Sequence, residues 1–177
     1  MATTALISVS EYLNTTYRPD RDYIDGEVRE RNLGERPHAM LQMVLSVIFA
    51  QNRNLWNVLP LPEQRVQTSA THFRIPDLCI VRRSDPADRI VYTAPLLCIE
   101  VLSRDDTLGD MQERVDDYVG MGVENVWVID PVRRTAYMSN SSGFVMPANG
   151  ELTVTGTPIR VVLAELFAQV DEFEAGR

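Results

Sequence analysis

The sequence predicts an α/β (α+β) fold, a mixed β-sheet core flanked by helices, in one domain over residues 1–177. Three observations carry that expectation. Helical and strand-like segments interleave along the chain, the pattern of sheets covered by helices. The runs Leu96-Leu97-Cys98-Ile99-Glu100-Val101-Leu102 and Val126-Trp127-Val128-Ile129-Asp130 read as buried strands. Residues 37–54 and 107–122 read as helices, the first by the spacing of its apolar residues and the second by its caps.

Taken in order, Ser8 or Ser10 caps a short helix ending near Leu13, with Glu11 three residues after Ser8 as in a capping box. Asp25-Gly26, between strand-like flanks over 22–28, signals a hairpin, because that turn requires positive φ. The helix over 37–54 turns a broad apolar face built from Met40, Leu41, Val44, Leu45, Val47, Ile48 and Leu55. Residues 56–59 and 63–68 are expected strands on either side of Pro60 and Pro62. A strand over 73–82 is interrupted by Pro76, a residue that within a sheet belongs at an edge or bulge. After the strand at 96–102, Thr107 caps the next helix, Asp110 lies in its first turn, and Gly122 ends it. A strand over 125–130 follows, then a hairpin pairing 135–139 with 144–146 around Ser141-Ser142-Gly143. A strand over 157–162 and a short helix over 163–170 complete the chain.

Composition narrows the class. Of the 177 residues, 45% are hydrophobic and 24% charged, which suits a globular protein and excludes disorder. No apolar run approaches the ~20 residues that cross a bilayer, and residues 1–12 lack the basic-then-apolar pattern of a secretory signal. Cys79 and Cys98 each sit in an apolar run and read as buried thiols, so a cytoplasmic location with no membrane partner is expected. The net charge of -8 weighs against tight non-specific binding to DNA, although a local arginine face can exist on an acidic protein. All 17 basic residues are arginine, so no step can use a lysine.

Glu100 is the most informative residue, because a lone carboxylate in a strand buried on both faces is costly unless it is paired, protonated or metal-bound. Pairing with Arg74 or Arg114 is one solution. Asp77 is the second oddity, following Pro76 within an apolar strand, where Pro-Asp alone would indicate only a turn. Together the two acids are 23 positions apart, which fits neighbouring strands joined by a loop over 84–93. Such strands converge two oxygen ligands on one point, suited to Mg²⁺ or Mn²⁺, and an ion there could polarise a phosphodiester and activate water.

The chain resembles the Uma-type restriction endonuclease family, a large bacterial group in the PD-(D/E)XK superfamily. The resemblance runs from about Val9 to Ala168. It rests on Tyr23-Ile24-Asp25-Gly26-Glu27, His38, Pro76-Asp77, Ile99-Glu100-Val101-Leu102-Ser103, Asp110 with Tyr118, Gly122-Val123, and Trp127-Val128-Ile129-Asp130-Pro131. It implies a restriction-endonuclease-like fold and metal ligation by Asp77 and Glu100, with the Val101 carbonyl as a further ligand. It also implies a catalytic place for Glu27 and a position for His38 near the mouth of the site. The superfamily lysine two residues after the second acid is replaced by Leu102, and the lysine this family carries on the next helix is replaced by Arg114. Arginine can hold a phosphate but cannot act as a base. Water activation then falls to the metal ion or to Gln112.

Asp110, Arg114 and Tyr118 recur at four-residue steps and share a helical face, which makes Tyr118 either packing or a phosphate contact. Tyr23 and Trp127 read as packing, His72 as an exposed loop residue, and the Asp105-Asp106 and Asp116-Asp117 pairs as solvated charges. The expected function is metal-dependent hydrolysis of DNA phosphodiester bonds by a homodimer. The alternative is a catalytically impaired relative that binds nucleic acid or another protein.

Overall fold

The computed structural model describes residues 5–32, 34–140 and 143–175. Its helices are α1 (Val9–Asn14), α2 (Arg36–Trp56), α3 (Leu108–Met121) and α4 (Leu163–Ala175). Its strands are β1 (Asp22–Ile24), β2 (Glu27–Arg29), β3 (Val58–Pro62), β4 (Val66–Ser69), β5 (His72–Arg74), β6 (Leu78–Arg82), β7 (Leu97–Val101), β8 (Val126–Asp130), β9 (Thr135–Asn140), β10 (Gly143–Val145), β11 (Glu151–Thr153) and β12 (Arg160–Val162).

The main sheet runs β10-β9-β8-β7-β6-β3, a second sheet runs β2-β1-β5-β4, and β11 pairs with β12. Only β7 and β8 pair in parallel within the main sheet. Parallel neighbours need a crossover, and α3 supplies it. Along β7, Leu97, Ile99 and Val101 join the core formed with α2 and α4, whereas Cys98 packs with Met111, Val115 and Tyr118 of α3. Because side chains alternate across a strand, Glu100 shares the Cys98 face and points toward α3. Cys79 and Cys98 are opposite one another across β6 and β7, both buried and unbridged.

The local signals act as their chemistry dictates. Ser8 Oγ accepts from Glu11 N, and Thr107 Oγ1 accepts from Asp110 N. Asp25 (φ 48°) and Gly26 (φ 96°) turn β1 into β2. Gly122, at φ 103°, ends α3.

Several elements differ from the sequence reading. Leu55 is 73% exposed, and Phe49 instead completes the buried face of α2 with Leu41, Val44 and Leu45. Pro60 and Pro62 lie inside β3, an edge strand paired with β6 alone, where a missing N–H costs no ladder bond. The segment 73–82 is two strands in two sheets, and Ile75-Pro76-Asp77 is the crossing between them. The strand β11 was unforeseen, and α4 runs on to Ala175. Strands β9 and β10 form the expected hairpin, with Ser141 and Ser142 of its turn outside the described residues.

The two faces of α2 make a direct test. Leu45→Ala opens a cavity in the core and should cost about 2–5 kcal/mol in urea unfolding. Leu55→Ala should stay within about 0.5 kcal/mol.

Candidate active site

Proline 76 removes a backbone donor where the chain leaves one sheet for the other, and the next residue, Asp77, turns its carboxylate inward, 3% exposed. Oδ1 accepts from Arg31 Nη2 at 2.8 Å. Oδ2 accepts from the Val101 amide at 2.7 Å and lies 3.2 Å from His38 Nε2. One turn further along α2, Gln42 Nε2 donates to the Asp77 carbonyl at 2.9 Å. Two residues of α2 thus fix both the backbone and the side chain of Asp77. Gly34 lets the chain pass against the His38 ring, since a Cβ there would lie 2.5 Å from Nδ1.

Glu100 stands on the neighbouring strand, one residue past Ile99, the partner of Leu78. Tyr118 donates its hydroxyl to Oε1 at 2.5 Å, and Arg114 Nη1 lies 3.5 Å from Oε2. Arg114 also reaches Asp106 at 3.6 Å. The Asp106 side chain is 3% exposed, held by Asn32 and by the Ser103 amide.

A second charge cluster abuts the first. Arg74 bonds Asp22 at 3.1 Å, Glu113 at 2.8 Å and Asp117 at 2.5 Å, with its side chain 4% exposed. Asp22 also accepts from the Ile75 amide, which ties β1 to the crossing.

Burial dominates the electrostatics. It pushes the Glu100 carboxyl up to about 7; Arg114 opposes that shift and Asp77 adds to it. Burial also works against the Asp77 carboxylate, but the His38 hydrogen bond and charge, Arg31 and the Val101 amide together hold it below the usual carboxylate range. At His38, burial disfavours the cation, and Asp77 outweighs it, leaving the imidazole raised. Asp22 is raised by burial despite Arg74, Arg114 and Arg31.

The donor chemistry suits a hard divalent cation: carboxylate oxygens from the crossing before β6 and from β7, on neighbouring stretches of chain joined by the Val101 amide. Among the described residues, no three His, Cys, Asp or Glu side chains already form a metal cluster. The carboxylates are closed on arginines instead. A gap of about 10 Å³ remains between Arg31, His38, Asp77, Val101, Asp106 and Arg114. A groove of about 430 Å³ adjoins it, sharing His38, Ser103 and Asp106 and carrying Arg104 and Arg133 on its walls.

Of the residues expected at the site, the structure brings together Asp77, Glu100, Val101, Arg114, His38 and Tyr118. Tyr118 is fully buried and serves Glu100 from beneath. Glu27 lies apart, its side chain 46% exposed and paired with Arg29. Gln112 is on the solvent side of α3, donating to Asp116. Arg31, Asp22 and Asp106 were missed, and Asp106 and Asp117 are not the solvated charges they resemble in sequence. His72 is likewise engaged, between Asp25 and Asp117.

The family model described as Uma2, putative restriction endonuclease, matches residues 10–143. Among solved structures, a putative nuclease belonging to DUF820 from Anabaena variabilis ATCC 29413 is similar, with a TM-score of 0.80 at 20% identity over 93% of this chain and 99% of that one. That likeness establishes the fold. The DrdV chain of a DrdV–DNA complex aligns over 73% of this chain and 11% of its own, at 16% identity and a TM-score of 0.40. No curated protein matches.

The raised Glu100 carboxyl has a definite sign in stability. Unfolded glutamate releases its proton near 4.5, and the folded group near 7. Across that window the folded chain binds more protons than the unfolded one, so stability falls as pH rises. Relative to Glu100→Gln, wild type should lose on the order of 3 kcal/mol between those limits in pH-resolved urea unfolding.

Proposed function

The chain belongs to the Uma2 putative restriction endonuclease family, and from that premise we propose that it is a divalent-metal-dependent endonuclease hydrolysing phosphodiester bonds in DNA. The observation that carries the reading is the placement of two buried carboxylates side by side, Asp77 in the crossing just before β6 and Glu100 within the neighbouring strand β7, one residue past the Leu78–Ile99 pair. Two buried carboxylates whose charges act on one another favour a shared cation.

Asp77, Glu100 and the Val101 carbonyl are the assigned ligands, with Mg²⁺ or Mn²⁺ as the ion. When bound, such an ion supplies Lewis-acid polarisation of the phosphoryl group and lowers the pKa of a coordinated water. The chain's own residues do the positioning. His38 and Gln42 hold Asp77 in place, and Tyr118 orients Glu100. Arg114, with its side chain 14% exposed, stays protonated and offers a fixed positive charge to a phosphate, but takes no proton from water.

The groove beside the site supports DNA as the substrate despite the acidic chain. Arg133, with its side chain 82% exposed, and Arg104, at 78%, face solvent there, each beside a groove carboxylate, Asp130 at 3.4 Å and Glu35 at 3.9 Å. Two-fold pairing of the chain in the cytoplasm would set one site against each strand of a duplex.

A second reading, a nuclease-fold module that binds without cutting, is favoured by one observation: Arg31 and Arg114 already stand against the two carboxylates. A plasmid-nicking assay separates the two. With Mn²⁺ or Mg²⁺, wild type should nick supercoiled plasmid, and Asp77→Ala should lose roughly a hundredfold or more. Arg114→Lys should leave an active enzyme near wild type. A rise from no wild-type activity on that substitution would establish the impaired reading instead.

A further inference from the structure

Arg31 has no part in the nuclease reaction as described, yet its guanidinium, 2.8 Å from Oδ1, stands nearer the Asp77 carboxylate than His38 does at 3.2 Å. It follows β2 in the irregular residues 30–32, with its side chain 14% exposed. Its charge acts on Asp77, Glu100 and Asp22 together. The two oxygens of Asp77 are held differently. Oδ2 is fixed by the Val101 amide and His38, whereas among the described residues Oδ1 is held by Arg31. Removing Arg31 therefore frees one oxygen while the carboxylate stays oriented through the other.

The gap next to this ion pair, about 10 Å³, is room for about one water. A divalent ion that binds Oδ1 has to take the place of the guanidinium. Arginine does not deprotonate, so it yields by moving and not by losing charge. Once displaced from a buried carboxylate it needs another anion, and a phosphodiester presents two oxygens matched to its planar fork.

We propose that Arg31 is a resident cation of the metal site, which occupies Asp77 in the free protein, gives way to the divalent ion, and then grips the non-bridging oxygens of the phosphate to be cut. The inference rests on the nuclease reading and adds a substrate-binding residue to it.

The test uses the full chain and two titrations. Mn²⁺ affinity is read from the electron paramagnetic resonance signal of free Mn²⁺. DNA affinity is read from the anisotropy of a short fluorescein-labelled duplex in Ca²⁺. Arg31→Met, which keeps the stem and removes the charge, should tighten Mn²⁺ binding by about tenfold and weaken duplex binding by about tenfold. A general loosening of the fold would weaken both, so the opposed signs identify the role. Arg31→Lys keeps the charge and loses the fork, so Mn²⁺ affinity should stay within about twofold of wild type while duplex binding falls.

If wild type binds Mn²⁺ and Arg31→Met binds it no more tightly, the inference fails while the nuclease reading stands. If Arg31→Lys tightens Mn²⁺ as much as Arg31→Met, charge is not what competes, and the inference fails again. If neither wild type nor Arg31→Met binds Mn²⁺ at millimolar concentration, both fall.

Discussion

Burying carboxylates at the crossing between two sheets is possible only because guanidinium groups are buried with them. Asp77 meets Arg31, Glu100 and Asp106 meet Arg114, and Asp22 meets Arg74, in abutting ion-pair groups. Each ion removed alone would leave an uncompensated charge in a low-dielectric interior, a change that costs several kcal/mol. The surrounding architecture follows from that constraint. The chain crosses at Pro76 so that Asp77 faces inward, α3 supplies Arg114 and Tyr118 beneath Glu100, and α2 supplies His38 and Gln42 above Asp77. Arg74 fastens β5 to β1 through Asp22 and to α3 through Glu113 and Asp117. The small sheet, the crossover helix and the main sheet are therefore tied together by the same charges that form the site.

The two central acids were legible in the sequence because each violates its local pattern: Glu100 interrupts an apolar strand, and Asp77 follows a strand-breaking proline. Asp22, Arg31 and Asp106 were not legible, because a charged residue in a short strand or turn looks solvated until tertiary packing covers it. Their burial comes from α3 and the small sheet closing on one another, which no local window contains. Spacing placed Arg114 and Tyr118 on one face of α3, and the structure puts both against Glu100. The same helix turns Gln112 to solvent, where Asp116 takes its amide. At the end of α2 the helical period alone admits both Phe49 and Leu55, and the depth of the core selects Phe49.

The absence of lysine gives the site a particular character. Every cation facing the carboxylates, apart from His38, is a guanidinium that holds its charge at any physiological pH. The groups of the cluster raised toward proton exchange are Glu100, pushed up to about 7, Asp22, raised by burial, and His38, raised by Asp77. Glu100 therefore exchanges its proton close to neutrality, so solution pH sets the charge at that carboxylate. An acidic chain of net charge -8 can still attract a nucleic acid if its arginines are gathered, and the groove walled by Arg104 and Arg133 opens beside His38 and Asp106.

The central claim is that Asp77 and Glu100 share one divalent ion. The most direct measurement is X-ray diffraction from crystals of the protein soaked in Mn²⁺, with data collected on both sides of the manganese absorption edge. An anomalous peak is expected between the Asp77 and Glu100 carboxylates, at about 2.0–2.2 Å from their oxygens. An intact cluster with no peak there, and manganese only elsewhere on the surface, would contradict that claim.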